Sequence, residues 1–183
     1  MPRPRPTLAA LHRSLGIPAD YGRRRKLRAF REARRLVSIG PAADDGRRQY
    51  LAPAAAAAWR RMQAAAAADG RALLALSGFR SVARQTRLIR RKLAAGQSLD
   101  AILAFVAAPG FSEHHTGRAL DIGAPGALGV DEAFGRTPEY RWLRNHAWRF
   151  GFRLSFPRGN PHGIRHEPWH WCWHPGPRIQ SFP

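Results

Sequence analysis

The sequence carries a single cysteine, Cys172, so no internal disulfide can staple the chain. It has two lysines, Lys26 and Lys92, so nearly all of its positive charge is arginine. Acidic residues are scarce, 12 against 31 basic ones, which leaves a formal net charge of +19. No stretch of about 20 apolar residues occurs, which excludes a membrane-spanning helix. No internal repeat is visible, which argues against solenoids and propellers.

What remains is a 183-residue chain, 44% hydrophobic, enough for one domain with its own core. The charge has two readings. One is a polyanionic partner such as nucleic acid, anionic lipid or an acidic cell-wall polymer. The other is composition bias, because Arg, Ala, Gly and Pro all use G/C-rich codons. No recognised nucleic-acid motif accompanies the charge, so no specific nucleic-acid partner is expected.

Residues 1–33 are polar and arginine-dense, with Arg23-Arg24-Arg25-Lys26 at their centre. They read as a basic N-terminal arm, loose or a short helix, dispensable for the chemistry of a domain spanning 34–183. Thr7-Leu8-Ala9-Ala10-Leu11 is cut short by His12 and Arg13, too short for the apolar core of a signal peptide. The expectation from these residues is an unexported chain.

Leu36–Ile39 before Gly40-Pro41 reads as a short strand and turn. Pro53–Asp69 is almost all alanine and predicts a helix, with Gly70 beyond its end and Trp59 and Met62 on a core stripe. Leu73–Leu76 predicts a buried strand and Ser81–Ala95 a helix, and a further helix opens at Ser98 and stops before Pro109. Ala119–Ile122 reads as a strand, and Pro138–Phe150 as an amphipathic helix ending at Gly151. Phe152–Phe156 and Trp169–Trp173 alternate as strands do. The mixture predicts an α+β fold, a small and mainly antiparallel sheet flanked by helices.

Two segments concentrate the chemistry: Ser112-Glu113-His114-His115-Thr116-Gly117-Arg118-Ala119-Leu120-Asp121 and His166-Glu167-Pro168-Trp169-His170-Trp171. Two imidazoles and one carboxylate make a workable donor set for zinc, with a position left for water. His114, Asp121 and His170 can supply it, while His115, His166 and His174 stand beside the segments as alternatives. Glu167 and His170 are three apart and would face oppositely on a flat strand, so Pro168 must bend the chain for both to meet one metal.

The pattern Ser-x-His-x-x-Gly-x-Ala-x-Asp, followed by Glu-Pro-Trp-His, resembles the VanY-type D-alanyl-D-alanine carboxypeptidases, zinc peptidases related to VanX dipeptidases and the hedgehog domain. Ser77-Gly78-Phe79-Arg80-Ser81, with Gln85 beyond it, and the segment from Trp142 to Phe152 strengthen the likeness, which covers roughly residues 34–176. The resemblance implies that His114, Asp121 and His170 hold Zn2+ and that Glu167 is the catalytic base. It places Arg80 at the scissile carbonyl or the substrate's terminal carboxylate, with Gln85 and Ser112 as further substrate-binding candidates. It also implies a hedgehog-like fold, a monomer, and hydrolysis of the D-Ala-D-Ala end of a peptidoglycan stem peptide. The basic surface would meet anionic cell-wall polymer, and the role would lie in the periplasm or cell wall. The alternatives are an endopeptidase of the same fold and a non-catalytic zinc-binding module. Cys172 departs from the family, which often has an arginine in its place. It would share a strand face with His170 and reads first as a packed small residue.

Overall fold

The computed structural model describes residues 6–176. The ends of the arm and of the domain, residues 1–5 and 177–183, lie outside the described residues. In chain order the elements are α1 (Leu8–Leu15), α2 (Tyr21–Arg24), β1 (Val37–Pro41), β2 (Arg48–Leu51), α3 (Pro53–Ala68), β3 (Leu74–Ser77), α4 (Val82–Ala94), α5 (Leu99–Leu103), β4 (Ala119–Gly123), α6 (Pro138–His146), β5 (Phe152–Leu154) and β6 (His170–Trp173). Short 3-10 turns cover Glu113–Thr116, Glu132–Arg136 and Ala147–Phe150.

Local chemistry sets the ends of these elements. Pro53 opens α3 at a position where its missing N–H breaks no helical bond. Ser81 caps α4 by accepting from the Arg84 amide, and Ser98 caps α5 through the Ala101 amide. The expected helix through Phe150 is split. The α-helix stops at His146, and a 3-10 turn carries the chain to Gly151, whose φ of 83° closes it.

The main sheet is antiparallel in the order β3-β4-β6-β5, and β1 and β2 form a separate antiparallel pair. The α+β architecture matches the expectation. The larger core lies between this sheet and helices α3 and α6, where Trp59, Met62, Leu120, Ile122 and Leu143 are fully enclosed. Strand β2 was missed in the sequence. Its four residues alternate exposed and buried, too short a run between charged neighbours to stand out.

The N-terminal segment requires a correction. It is not a loose arm, because within the described residues it supplies three of the seven buried residues of a second core. Leu15, Ile17 and Tyr21 are buried against Ile89, Ile102, Leu103 and Ala108 of α4, α5 and the segment after them. The Tyr21 hydroxyl accepts from the Ala108 amide at 3.2 Å. Farther on, the Phe30 amide donates to Gly110 O at 2.7 Å and the Ala33 amide to His115 O at 2.8 Å. Glu32 accepts from the Val82 amide at the start of α4. Arg23, Arg24 and Arg28 face outward, Arg25 folds back onto the His162 and Gly163 carbonyls, and the apolar residues between them face in, so high charge and a packed face coexist.

Full burial of one such side chain contributes about 1.5–3 kcal/mol, against a total stability of about 5–15 kcal/mol for a domain. A chain beginning at residue 34 is therefore expected to melt well below the full chain or to aggregate. Thermal and urea melts of the two forms check this, and equal midpoints would restore the dispensable arm.

Candidate metal centre and active-site cleft

Register places the centre. In the β4–β6 ladder Asp121 stands directly opposite His170, and in the β3–β4 ladder Ser77 stands opposite Asp121. Directly opposed residues share a sheet face, so Asp121 and His170 emerge side by side. The 3-10 turn Glu113–Thr116 brings His114 over them, and Gly117 ends that turn at φ 65°. A Cβ on Gly117 would lie 2.9 Å from the Ala52 amide nitrogen, so the motif glycine is required by shape as well as by conformation.

The donor atoms of His114, Asp121 and His170 all lie within 4.8 Å of one another, and all three residues are buried. Asp121 Oδ2 is 3.3 Å from His114 Nε2, and Oδ1 is 3.1 Å from His170 Nδ1. Each imidazole is oriented through its other nitrogen. His114 Nδ1 donates to Gly78 O at 2.7 Å, which leaves the Nε2 lone pair pointing at the centre. His170 Nε2 donates to Glu113 Oε2 at 3.0 Å, which leaves Nδ1 facing it. A ligand histidine braced by a carbonyl or carboxylate is the usual arrangement in metal sites, so the residues fit a zinc-type cation.

The bend expected at Pro168 is present. The His170 amide donates to Glu167 O, a turn that brings Glu167 Oε2 to 3.8 Å from His170 Nδ1. Glu167 is buried there, and that burial pushes its carboxyl up to about 8, with Asp121 and Glu113 adding to the rise against His170 and Arg80. A carboxylate poised this high is suited to taking and returning a proton. Burial holds the His114 imidazole down to about 4, so it is neutral and ready to ligate. Burial also disfavours charge on His170, yet its hydrogen bonds to Asp121 and Glu113 carry it up to about 10.

Arg80 reaches the same space. Its guanidinium donates to Ser77 Oγ and to Gln85 Oε1, both at 3.1 Å, and lies 3.5 Å from Asp121 Oδ2. Gln85 spends its amide nitrogen on Ala107 O at 2.6 Å. Gln85 thus ties Arg80 to the Ala107 carbonyl, with one N–H of its amide left over at the cleft lining. Ser112 is different: it is buried and lines the cleft, yet its hydroxyl does not cap the 3-10 turn that follows it. The cleft is about 950 Å³, and Arg84, Arg87, Arg91 and Lys92 add positive charge along one wall.

The alternative ligands separate cleanly. His115 is buried but uses both nitrogens, Nδ1 donating to Arg80 O at 2.6 Å and Nε2 accepting from the Gly110 amide at 3.0 Å. His166 packs edge-on against Tyr140, away from the centre. His174 groups with Glu113 and Cys172 instead. Glu113 is the functional residue that sequence reasoning passed over. Its signal was a carboxylate beside the first ligand histidine, in a motif position that the pattern leaves open.

The family model for VanY, D-alanyl-D-alanine carboxypeptidase, matches residues 48–176. The chain belongs to that family. It is similar to the putative carboxypeptidase YodJ of Bacillus subtilis (strain 168), 35% identical over 126 residues, which cover 67% of this chain and 46% of YodJ. The chain thus spans under half the length of that relative. Among solved structures it resembles the LD-carboxypeptidase LdcB, with a TM-score of 0.68 and 33% identity, covering 78% of this chain and 69% of LdcB. It also resembles a mutant of the D,D-pentapeptidase VanY of a VanB-type resistance cassette in complex with Zn(II), with a TM-score of 0.59 and 28% identity over 76% of this chain and 78% of that one.

Two outcomes follow for the centre. A Cβ on Gly78 would sit 2.5 Å from Tyr50 O, so Gly78→Ala must shift the carbonyl that orients His114. The variant is expected to bind zinc about 10–100-fold more weakly, as when other orienting partners of a ligand are lost, and competition against a chromogenic chelator measures it. Metal and proton compete for His170 Nδ1, so affinity should rise with pH across the neutral range, about tenfold per unit for one displaced proton. His114 is already neutral there and adds no proton, whereas the carboxyl of Glu167, pushed up to about 8, adds a second, so an affinity independent of pH would contradict the assignment.

Proposed function

We propose that the chain is a zinc-dependent carboxypeptidase that hydrolyses the D-Ala-D-Ala bond of peptidoglycan stem peptides or their precursors. The observation that carries this reading is the buried trio His114, Asp121 and His170 with the elevated carboxyl of Glu167 beside it. Zn2+ held by the trio would supply Lewis-acid polarisation and a lowered pKa for water. The protein's own groups do the rest. Glu167 accepts the proton of the attacking water and delivers it to the leaving amine. Arg80, held in place by Gln85 and Ser77, presents a planar cation to the substrate's terminal carboxylate or to the oxygen on which charge develops. Ser112 offers its hydroxyl to the peptide. The arginine-lined wall suits an acidic peptide and, on a larger scale, the anionic polymers of a cell wall.

A second reading is cleavage after an L-residue, favoured by the likeness to LdcB, which is named an LD-carboxypeptidase. Paired peptides ending in D-Ala-D-Ala or in an L-residue followed by D-Ala separate the two readings, each assayed with and without chelator. Glu167→Gln is expected to keep zinc and lower turnover by about 10²–10⁴-fold. His170→Ala should lose metal first. A zinc-loaded Glu167→Gln variant with near-normal turnover would exclude Glu167 as the base and favour a non-catalytic module or another base.

A further inference from the structure

We propose that Glu113, Cys172 and His174 form a second metal site, which takes one borderline-to-soft divalent cation of the zinc type beside the first centre. The argument begins with strand geometry. Successive side chains of β6 alternate between faces, so His170, Cys172 and His174 project to one side. The Phe152↔Trp173 pairing and the His174 amide's bond to Gly151 O keep the chain extended through His174. Glu113 arrives on the same side from its 3-10 turn, fixed there by His170 Nε2 and by the Ser155 hydroxyl, which donates to Oε2 at 2.5 Å. The donor atoms of Glu113, Cys172 and His174 all lie within 4.8 Å of one another.

The chemistry of the three fits one class of ion. A thiolate, an imidazole and a carboxylate are typical zinc donors, whereas calcium and magnesium take oxygen alone. Three protein ligands leave a fourth position for water, and the partial exposure of Glu113 and His174 gives the ion a way in. Cys172 is 2% exposed and burial keeps its thiol protonated, so the cation would displace that proton, and the thiolate and Glu113 would then balance its charge. Against this, Arg28, Arg118 and Arg153 all act on His174 and weaken binding, so the affinity should fall below that of the first centre. Oε2 of Glu113 serves His170 and Ser155, and the carboxylate also accepts from the Cys172 thiol, a bond that an ion at Oε1 would replace. One carboxylate then braces a ligand of one centre and ligates the other.

Cobalt(II) tests this directly, because a thiolate ligand gives a charge-transfer band in the near ultraviolet that imidazole and carboxylate do not. The full chain, stripped with chelator, should bind two equivalents of cobalt, one of them with that band. Cys172→Ser should lose the band and one equivalent. His174→Ala should weaken that equivalent beyond the roughly 10–100-fold that follows loss of a merely supporting partner. His114→Ala should keep the band, so failure of the first centre and failure of the second are read apart. Should Cys172→Ser not fold, His174→Ala carries the same readout. A single equivalent without the band in the unmodified chain, or a band that survives in folded Cys172→Ser, overturns the proposal.

Discussion

The antiparallel register that sets Asp121 opposite His170 is the constraint on which the rest of the centre depends. A slip of one residue would turn every side chain of β6 to the opposite face, sending His170 into the core and Trp171 into the cleft. The register is held by what lies on the other face. Leu120 and Trp171 pair across the same ladder and are enclosed in the main core. Apolar burial on one side of the sheet thereby fixes the position of charge on the other.

The polar groups brought together in this way would be costly without mutual support. An uncompensated buried charge costs several kcal/mol, and this centre encloses Asp121, Glu167, His114 and His170 together. The cost is met by a continuous chain of hydrogen bonds running from Ser155 through Glu113 and His170 to Asp121, with Arg80 and Gln85 on the far side. Without a metal, the His170 imidazolium bridges two carboxylates. With one, its Nδ1 lone pair takes the place of that proton. The donors are thus already gathered by the protein's own hydrogen bonds.

Much of this was legible in the sequence because it is written locally. Alanine repetition announces α3, serine caps announce α4 and α5, and the glycine of the histidine motif announces the turn that lifts His114 over the strand. The misreadings share a physical cause. In residues 6–33, arginines outnumber the buried Leu15, Ile17 and Tyr21, so charge hid a packed face whose partners lie some seventy or more residues away. The sequence shows the place of Gln85 relative to Arg80 but not the acceptor of its amide, Ala107 O. His115 and His114 are indistinguishable as letters. Only the fold shows that both nitrogens of His115 are consumed by Arg80 O and the Gly110 amide.

The backbone of Arg80 is gripped from both sides by the histidine pair: its amide donates to His114 O at 3.2 Å and its carbonyl accepts from His115 Nδ1. The loop that carries the guanidinium and the turn that carries the first imidazole therefore move as one piece. A displacement of this near wall of the cleft would therefore be carried to His114 as well. Phe105 and Val130 also line the cleft and stand largely exposed, so a change in their size would alter the cleft without passing through the Arg80 backbone.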